Sequence, residues 1–182
     1  MEEKNIISGD NHLKINEWVD VEPIHCHARL PQNTLVTKVR YISEDRVSTE
    51  VLHKVNPKEL IFFFDHPIDH LPGMLMASAI RQACLAVSHL IYEVPLDFVE
   101  VIDWMNLRFL NYGGLDKQTW TKGKLLGLKK SSGKIEITIE GTMWQEDYPI
   151  FKAKGKMICF SPRLAEKIRH KKIQYTPEQL EV

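Results

Sequence analysis

Phe62-Phe63-Phe64-Asp65-His66-Pro67-Ile68-Asp69-His70-Leu71-Pro72-Gly73-Met74-Leu75-Met76-Ala77-Ser78-Ala79-Ile80-Arg81-Gln82 runs from an aromatic triplet through a polar loop into an apolar segment. The alternating Asp, His and Pro residues oppose regular structure up to Pro72. After Gly73 the residues are apolar on nearly every face as far as Tyr92, which predicts one long helix, Gly73–Tyr92. Pro72 precedes it, where a missing N–H does no harm, and Pro95 follows, disfavouring helix just before it. At 1.5 Å per residue it would be about 30 Å long. A helix that is apolar all round must be buried all round.

On that helix Ser78, Arg81, Gln82 and His89 should make one narrow polar stripe. A buried guanidinium needs partners to offset its lost hydration, and the nearest acids in sequence are Asp65 and Asp69. Two readings stay open: an Asp–Arg clamp that locks the loop onto the helix or across an interface, and a working site built from the same atoms.

Upstream of the loop, Leu35–Val39 and Val47–Val55 are rich in β-branched residues around a turn at Ser43–Arg46, which predicts a hairpin leading to Phe62–Phe64. Beyond the helix come Phe98–Leu110, Trp120–Leu128, Lys134–Glu140 and Phe151–Cys159. The last two alternate cleanly, with Ile135, Ile137 and Ile139, then Phe151, Ala153, Gly155, Met157 and Cys159 on single faces. One buried helix followed by an antiparallel meander leaves few packings. The sheet must curl around the helix, an α+β arrangement of the hotdog kind, with a second copy covering what remains exposed. The expected organisation is a polar lead-in over residues 1–22, one hotdog domain over 23–160, and a basic tail or surface helix over 161–182.

Composition narrows the function classes. At 182 residues the chain suits one domain, and a formal net charge of zero points to no nucleic-acid partner. Met1-Glu2-Glu3-Lys4-Asn5 lacks the order of a signal peptide. Arg81 at the middle of the apolar run argues against a membrane span. Cys26, Cys84 and Cys159 are too far apart for a paired site and read as reduced, buried thiols in a cytoplasmic protein.

His66 and His70 have i, i+4 spacing, which suits zinc only on a helix, and Pro67 and Pro72 argue against one there. His25 and His27 flank Cys26 in an expected extended segment, so they should face the same side as surface or loop histidines. Glycine-rich phosphate loops and nucleophile elbows are missing from the sequence. No metal and no cofactor is expected.

Asp65-His-Pro-x-Asp-His-x-Pro-Gly-Met74 followed by Arg81-Gln-Ala83 resembles the A-factor biosynthesis hotdog family, the AfsA-like proteins of γ-butyrolactone signal synthesis. His25, His27, Leu35-Val-Thr37, His89-x-x-Tyr92-x-Val-Pro95 and Phe98 extend the resemblance over roughly Pro23 to Phe160. More distantly, the chain is similar to the hydroxyacyl-carrier-protein dehydratases. The resemblance implies an enzyme acting on a β-ketoacyl thioester carried by acyl carrier protein or CoA. It would transfer or condense the chain with a small hydroxylated or phosphorylated acceptor such as dihydroxyacetone phosphate.

The resemblance also implies a homodimer in which loop residues of one protomer face helix residues of the other. Asp65, His66, Asp69, His70 and Arg81 would then be catalytic, with Gly73, Ser78 and Gln82 binding substrate. Two departures matter. The family pattern carries Glu three residues before the arginine, and this chain has Ser78, which cannot serve as a general base near neutral pH. The signal-synthesis enzymes carry two tandem hotdog units, and this chain has room for one. These departures keep two alternatives in play: a hotdog dehydratase or thioesterase, and a non-catalytic acyl-binding or partner subunit.

Overall fold

The computed structural model describes residues 13–58 and 68–170. In chain order they form β1 (Val19–Asp20), β2 (Val36–Tyr41), β3 (Ser48–His53), α1 (Gly73–Leu90), β4 (Val99–Phe109), β5 (Thr119–Ser131), β6 (Lys134–Gln145), β7 (Tyr148–Phe160) and α2 (Pro162–Arg169). The strands make one antiparallel sheet in the order β1-β2-β3-β5-β6-β7-β4. Phe62–Phe64, Asp65 and His66 lie outside the described residues.

Local chemistry accounts for the strands. Ile135 and Ile137 of β6 are buried, as are Phe151, Ala153, Met157 and Cys159 of β7, while Lys152 and Lys154 between them stay exposed. Ser131 pairs with Lys134, so a two-residue turn joins β5 to β6. Gly133 takes φ 75° there, a conformation that costs glycine little. The fold is the expected one, a hotdog: the sheet wraps one long central helix.

The helix is two residues shorter than the sequence predicts. Glu93 adopts φ 60°, and the Val94 N–H turns back to the Ser88 carbonyl at 3.0 Å, closing the helix before Tyr92. The same reversal aims the Val94 carbonyl at the last turn of α1. Around the C-terminal half of α1, Ala86, Val87, Ile91 and Tyr92 pack with Val39, Val51, Ile137 and Cys159. Around its N-terminal half, Leu75, Met76, Ala79 and Ile80 pack with Leu71, Met143, Ile150 and Phe151.

Burial is not complete. Met74 and Arg81 on α1 are exposed, and so are Val99, Val101, Ile102, Trp104, Met105 and Phe109 on β4. β4 has β7 on one side and forms the edge of the sheet on the other. Among the described residues, no helix is long and apolar enough to cross a membrane.

Candidate functional site

The described end of the Asp/His loop docks on the turn before β5. The Leu71 N–H donates to the Gly113 carbonyl at 2.8 Å, and His70 bridges Gly114. His70 Nδ1 is 3.1 Å from Asp69 Oδ1, and its ring centroid is 5.2 Å from that of Tyr112. Hydrogen bonds from Tyr112 and then His70 hold the Asp69 carboxyl below its ordinary pKa, while Asp69 pushes the Tyr112 phenol up to about 12. Among the described residues, Arg81 makes no ion pair with Asp69; the aspartate pairs with His70 instead.

The helix stripe divides. Gln82 is buried, with Oε1 accepting the Leu35 N–H at 2.7 Å and Nε2 donating to the Asn33 carbonyl at 2.8 Å. Ser78 is half-buried and Arg81 exposed. Gly73 is a packing position: a Cβ there would stand 2.7 Å from Phe109 Cε1. His89 turns to a separate cluster at the far end of α1.

That cluster joins three distant segments. Pro23 starts a tight 3-10 turn, Pro23–Cys26, and His27 closes it at φ 50°. His25 therefore folds back, its Nδ1 accepting the Glu22 N–H at 3.1 Å, and the expectation that His25 and His27 share one side of an extended strand fails. His27 Nε2 lies 3.0 Å from His89 Nε2, and Glu100 Oε1 lies 3.4 Å from the same His89 atom. The His89 Nδ1–H donates to the Val94 carbonyl at 2.7 Å, the contact set up by the helix-ending reversal. Ser88 Oγ reaches Glu100 Oε1 at 2.9 Å.

Electrostatics follows from burial. The side chains of His89 and Glu100 are 2% and 1% exposed. Desolvation pushes Glu100 up to about 7, opposed by hydrogen bonds from Ser88 and Cys159 and by the Arg81 charge. Desolvation lowers His89, and together with the Arg81 charge it lowers His27. Burial raises Cys26, Cys84 and Cys159 each to about 12, so these thiols are poor nucleophiles.

Between α1 and the sheet lies a strongly apolar cavity of about 50 Å³. Small residues of adjacent strands, Gly123, Gly141, Ala153 and Gly155, make its floor, and Arg81 and Cys84 of α1 with Trp104 of β4 contribute to its walls. A Cβ at Gly141 would come 3.2 Å from Thr121 Cγ2 and 3.6 Å from Ile80 Cδ1, so this position is crowded by the neighbouring strand more than by the helix. Arg81 thus combines a cationic head with an apolar cavity.

Sheet, helix and cavity define a hotdog domain. The chain matches the A-factor biosynthesis hotdog domain (AfsA) over residues 16–161, and it belongs to that family. It is 30% identical over 88 residues to a 2-oxo-3-(phosphooxy)propyl 3-oxoalkanoate synthase of Streptomyces virginiae. The match takes in 48% of this chain and only 26% of that protein's length. Among solved structures, a mutant thioesterase of Pseudomonas aeruginosa superposes with a TM-score of 0.50 at 14% identity, over 67% of this chain and 81% of its own. A thioesterase-like protein of Silicibacter sp. gives 0.48 at 13% identity, over 66% and 78%.

Glu100 is the residue that sequence reasoning missed. α1 carries no carboxylate of its own, and β4 delivers one to Ser88 and His89 from the side. Strand alternation pointed the other way: a glutamate between Val99 and Val101 reads as the solvent-facing member, and the fold instead exposes both valines and turns Glu100 inward.

Proposed function

We propose that this hotdog domain acts on an acyl thioester, transferring or condensing a β-ketoacyl chain with a small hydroxylated or phosphorylated acceptor. The observation that carries the reading is Arg81: an exposed guanidinium on the central helix that also lines the apolar cavity beneath it. A planar set of donors suits a phosphate or a developing oxyanion, and the cavity suits the start of an acyl chain. Membership of the A-factor biosynthesis family supports the reading, as does similarity to a synthase whose name describes a phosphorylated 3-oxoalkanoate product.

In this reading two copies associate through β4, whose apolar residues are uncovered in the single chain. The loop of one copy then faces the helix of the other. Asp65, His66, Asp69 and His70 supply the proton carriers and Ser78 orients the thioester carbonyl, while Gly73 makes room for Phe109 of β4 at the start of the helix. Gln82 acts as a positioning residue, because both ends of its amide are already bonded to the backbone before β2. The acyl carrier is acyl carrier protein or CoA, and no cofactor is needed for the transfer.

The test is to incubate the purified protein with β-ketoacyl thioesters of several chain lengths, on carrier protein and on CoA, with and without dihydroxyacetone phosphate. Products are followed by mass spectrometry. An acceptor-dependent ester supports the proposal. Acceptor-independent hydrolysis or dehydration would replace it with the thioesterase or dehydratase reading. Binding without turnover would favour an acyl-binding subunit, a reading that the absence of a carboxylate from α1 makes specific to this chain.

A further inference from the structure

The geometry points to a divalent-cation site of the zinc class, formed by His27 Nε2, His89 Nε2 and Glu100 Oε1 at the C-terminal end of the central helix. These three atoms, from the turn after Cys26, from α1 and from β4, lie within 4.8 Å of one another.

The Val94 carbonyl can only accept, so the proton of neutral His89 sits on Nδ1 and its Nε2 presents a lone pair. Glu100 Oε1 stands 3.4 Å from that lone pair, with both side chains almost wholly excluded from water. Without a metal the His27 Nε2–H donates to that lone pair at 3.0 Å; a cation in place of this proton would engage Glu100 Oε1 as well. Glu100 Oε2 is also buried and has no hydrogen-bond partner of normal geometry. Such a carboxylate is costly unless a proton or a cation neutralises it.

The spacing fits a metal. Two ligands of a tetrahedral zinc, each about 2.0–2.1 Å from the ion, stand roughly 3.3 Å apart. The observed separations from His89 Nε2 are 3.0 Å to His27 and 3.4 Å to Glu100. The outer partners of a metal-binding histidine are present as well. A backbone carbonyl fixes the His89 ring and Ser88 steadies Glu100, the arrangement that orients ligands before an ion arrives. His27 is the exposed member, so the ion and a coordinated water enter from its side. Two imidazoles and one carboxylate suit zinc or cobalt, and not the all-oxygen preference of calcium or magnesium.

Arg81 opposes the cation, since its charge reaches His27 and Glu100. It is exposed and therefore screened, and the Glu100 carboxylate offsets it. This site does not rest on the proposed acyl chemistry.

Zinc binding to chelator-stripped protein should be measured by titration calorimetry and elemental analysis, and cobalt binding by visible absorption, all without acyl substrate. Expected are stoichiometric zinc and the intense visible bands of tetrahedral cobalt. Glu100→Gln, which keeps the shape, and His89→Gln should each weaken zinc by more than about 100-fold. His70→Gln on the loop should leave zinc binding unchanged. Melting curves of the stripped variants show whether they are folded. Arg81→Ala should retain zinc even where acyl turnover is lost, which separates this inference from the functional one. If wild type and Glu100→Gln bind zinc equally, or cobalt shows only its weak octahedral spectrum, the cluster is a plain hydrogen-bonded chain and the proposal fails.

Discussion

Gln82 Oε1 accepts the backbone N–H of Leu35 at 2.7 Å and so ties the middle of the central helix to the residue that leads into β2. Leu35 is 1% exposed, and water cannot replace the bond. Gln82→Leu should therefore strand a buried donor and cost about 1–3 kcal/mol. A lower urea midpoint with an unchanged slope would verify this. An unchanged midpoint would mean that the backbone before β2 finds another partner.

Arg81→Ala should behave in the opposite way. The side chain is exposed, so stability should move by no more than about 0.5 kcal/mol. If the chain turns over an acyl thioester as proposed, removing the cationic head should lower kcat/KM on the order of 10²-fold. Steady-state kinetics beside a thermal melt separates the two effects.

Burial of His53 makes one contribution to stability that is lost on mild acidification, opposed by buried Glu100, whose raised value works in the other direction. The His53 ring is buried, its Nε2 lies 2.7 Å from Thr121 Oγ1, and its Nδ1 has no partner. Desolvation lowers it to about 4 from an ordinary 6.5, so between these values the unfolded chain binds the extra proton. The stabilisation is complete above pH 6.5 and is lost as pH falls towards 4, amounting to a few kcal/mol. Urea titrations of wild type and His53→Gln across that window should differ by this contribution, with the variant losing less stability, or gaining more, as the pH falls.

Val101→Lys tests the β4 edge. Val101 is 47% exposed in the single chain, so a lysine there should leave the fold intact. If β4 joins two copies, the substitution places like charges on the shared edge and should convert the dimer to monomers in sedimentation or light scattering. A wild-type monomer at assay concentration would remove β4 as the interface.

Gly155→Ala should disturb the same strand from its other side. A Cβ at Gly155 would stand 2.9 Å from the Trp104 carbonyl, where β4 bulges between Ile102 and Trp104. Backbone must shift to make room, at a cost of about 1–3 kcal/mol. Faster amide exchange confined to β4 and β7 would locate the damage.

Much of the fold was legible because single residues decided it. Pro72 and Pro95 bracketed α1, the isoleucines of β6 and the lysines of β7 declared a half-solvated sheet, and Phe98–Leu110 stood close to the observed β4. The Asp/His loop identified the family, although Asp65 and His66 lie outside the described residues. The His27–His89–Glu100 cluster was not legible as a unit. Each member lies in a different element, and helical spacing says nothing about a strand that crosses beside the helix. The partners of Gln82 were hidden for a related reason: helical periodicity gives a direction, and only the packed chain shows that backbone atoms of Asn33 and Leu35 meet its amide.

The strand order also sets a timetable for assembly. β4 follows α1 directly, yet Val99 pairs with Phe160, near the close of the sheet. As the chain leaves the ribosome, β4 must wait with both hydrogen-bonding edges bare until the β6–β7 hairpin has been made. Glu100 comes to rest opposite Cys159, so its final burial belongs to the same late step. Chain lost from β7 would thus release β4 and unmake a cluster whose named members all come from the first hundred residues.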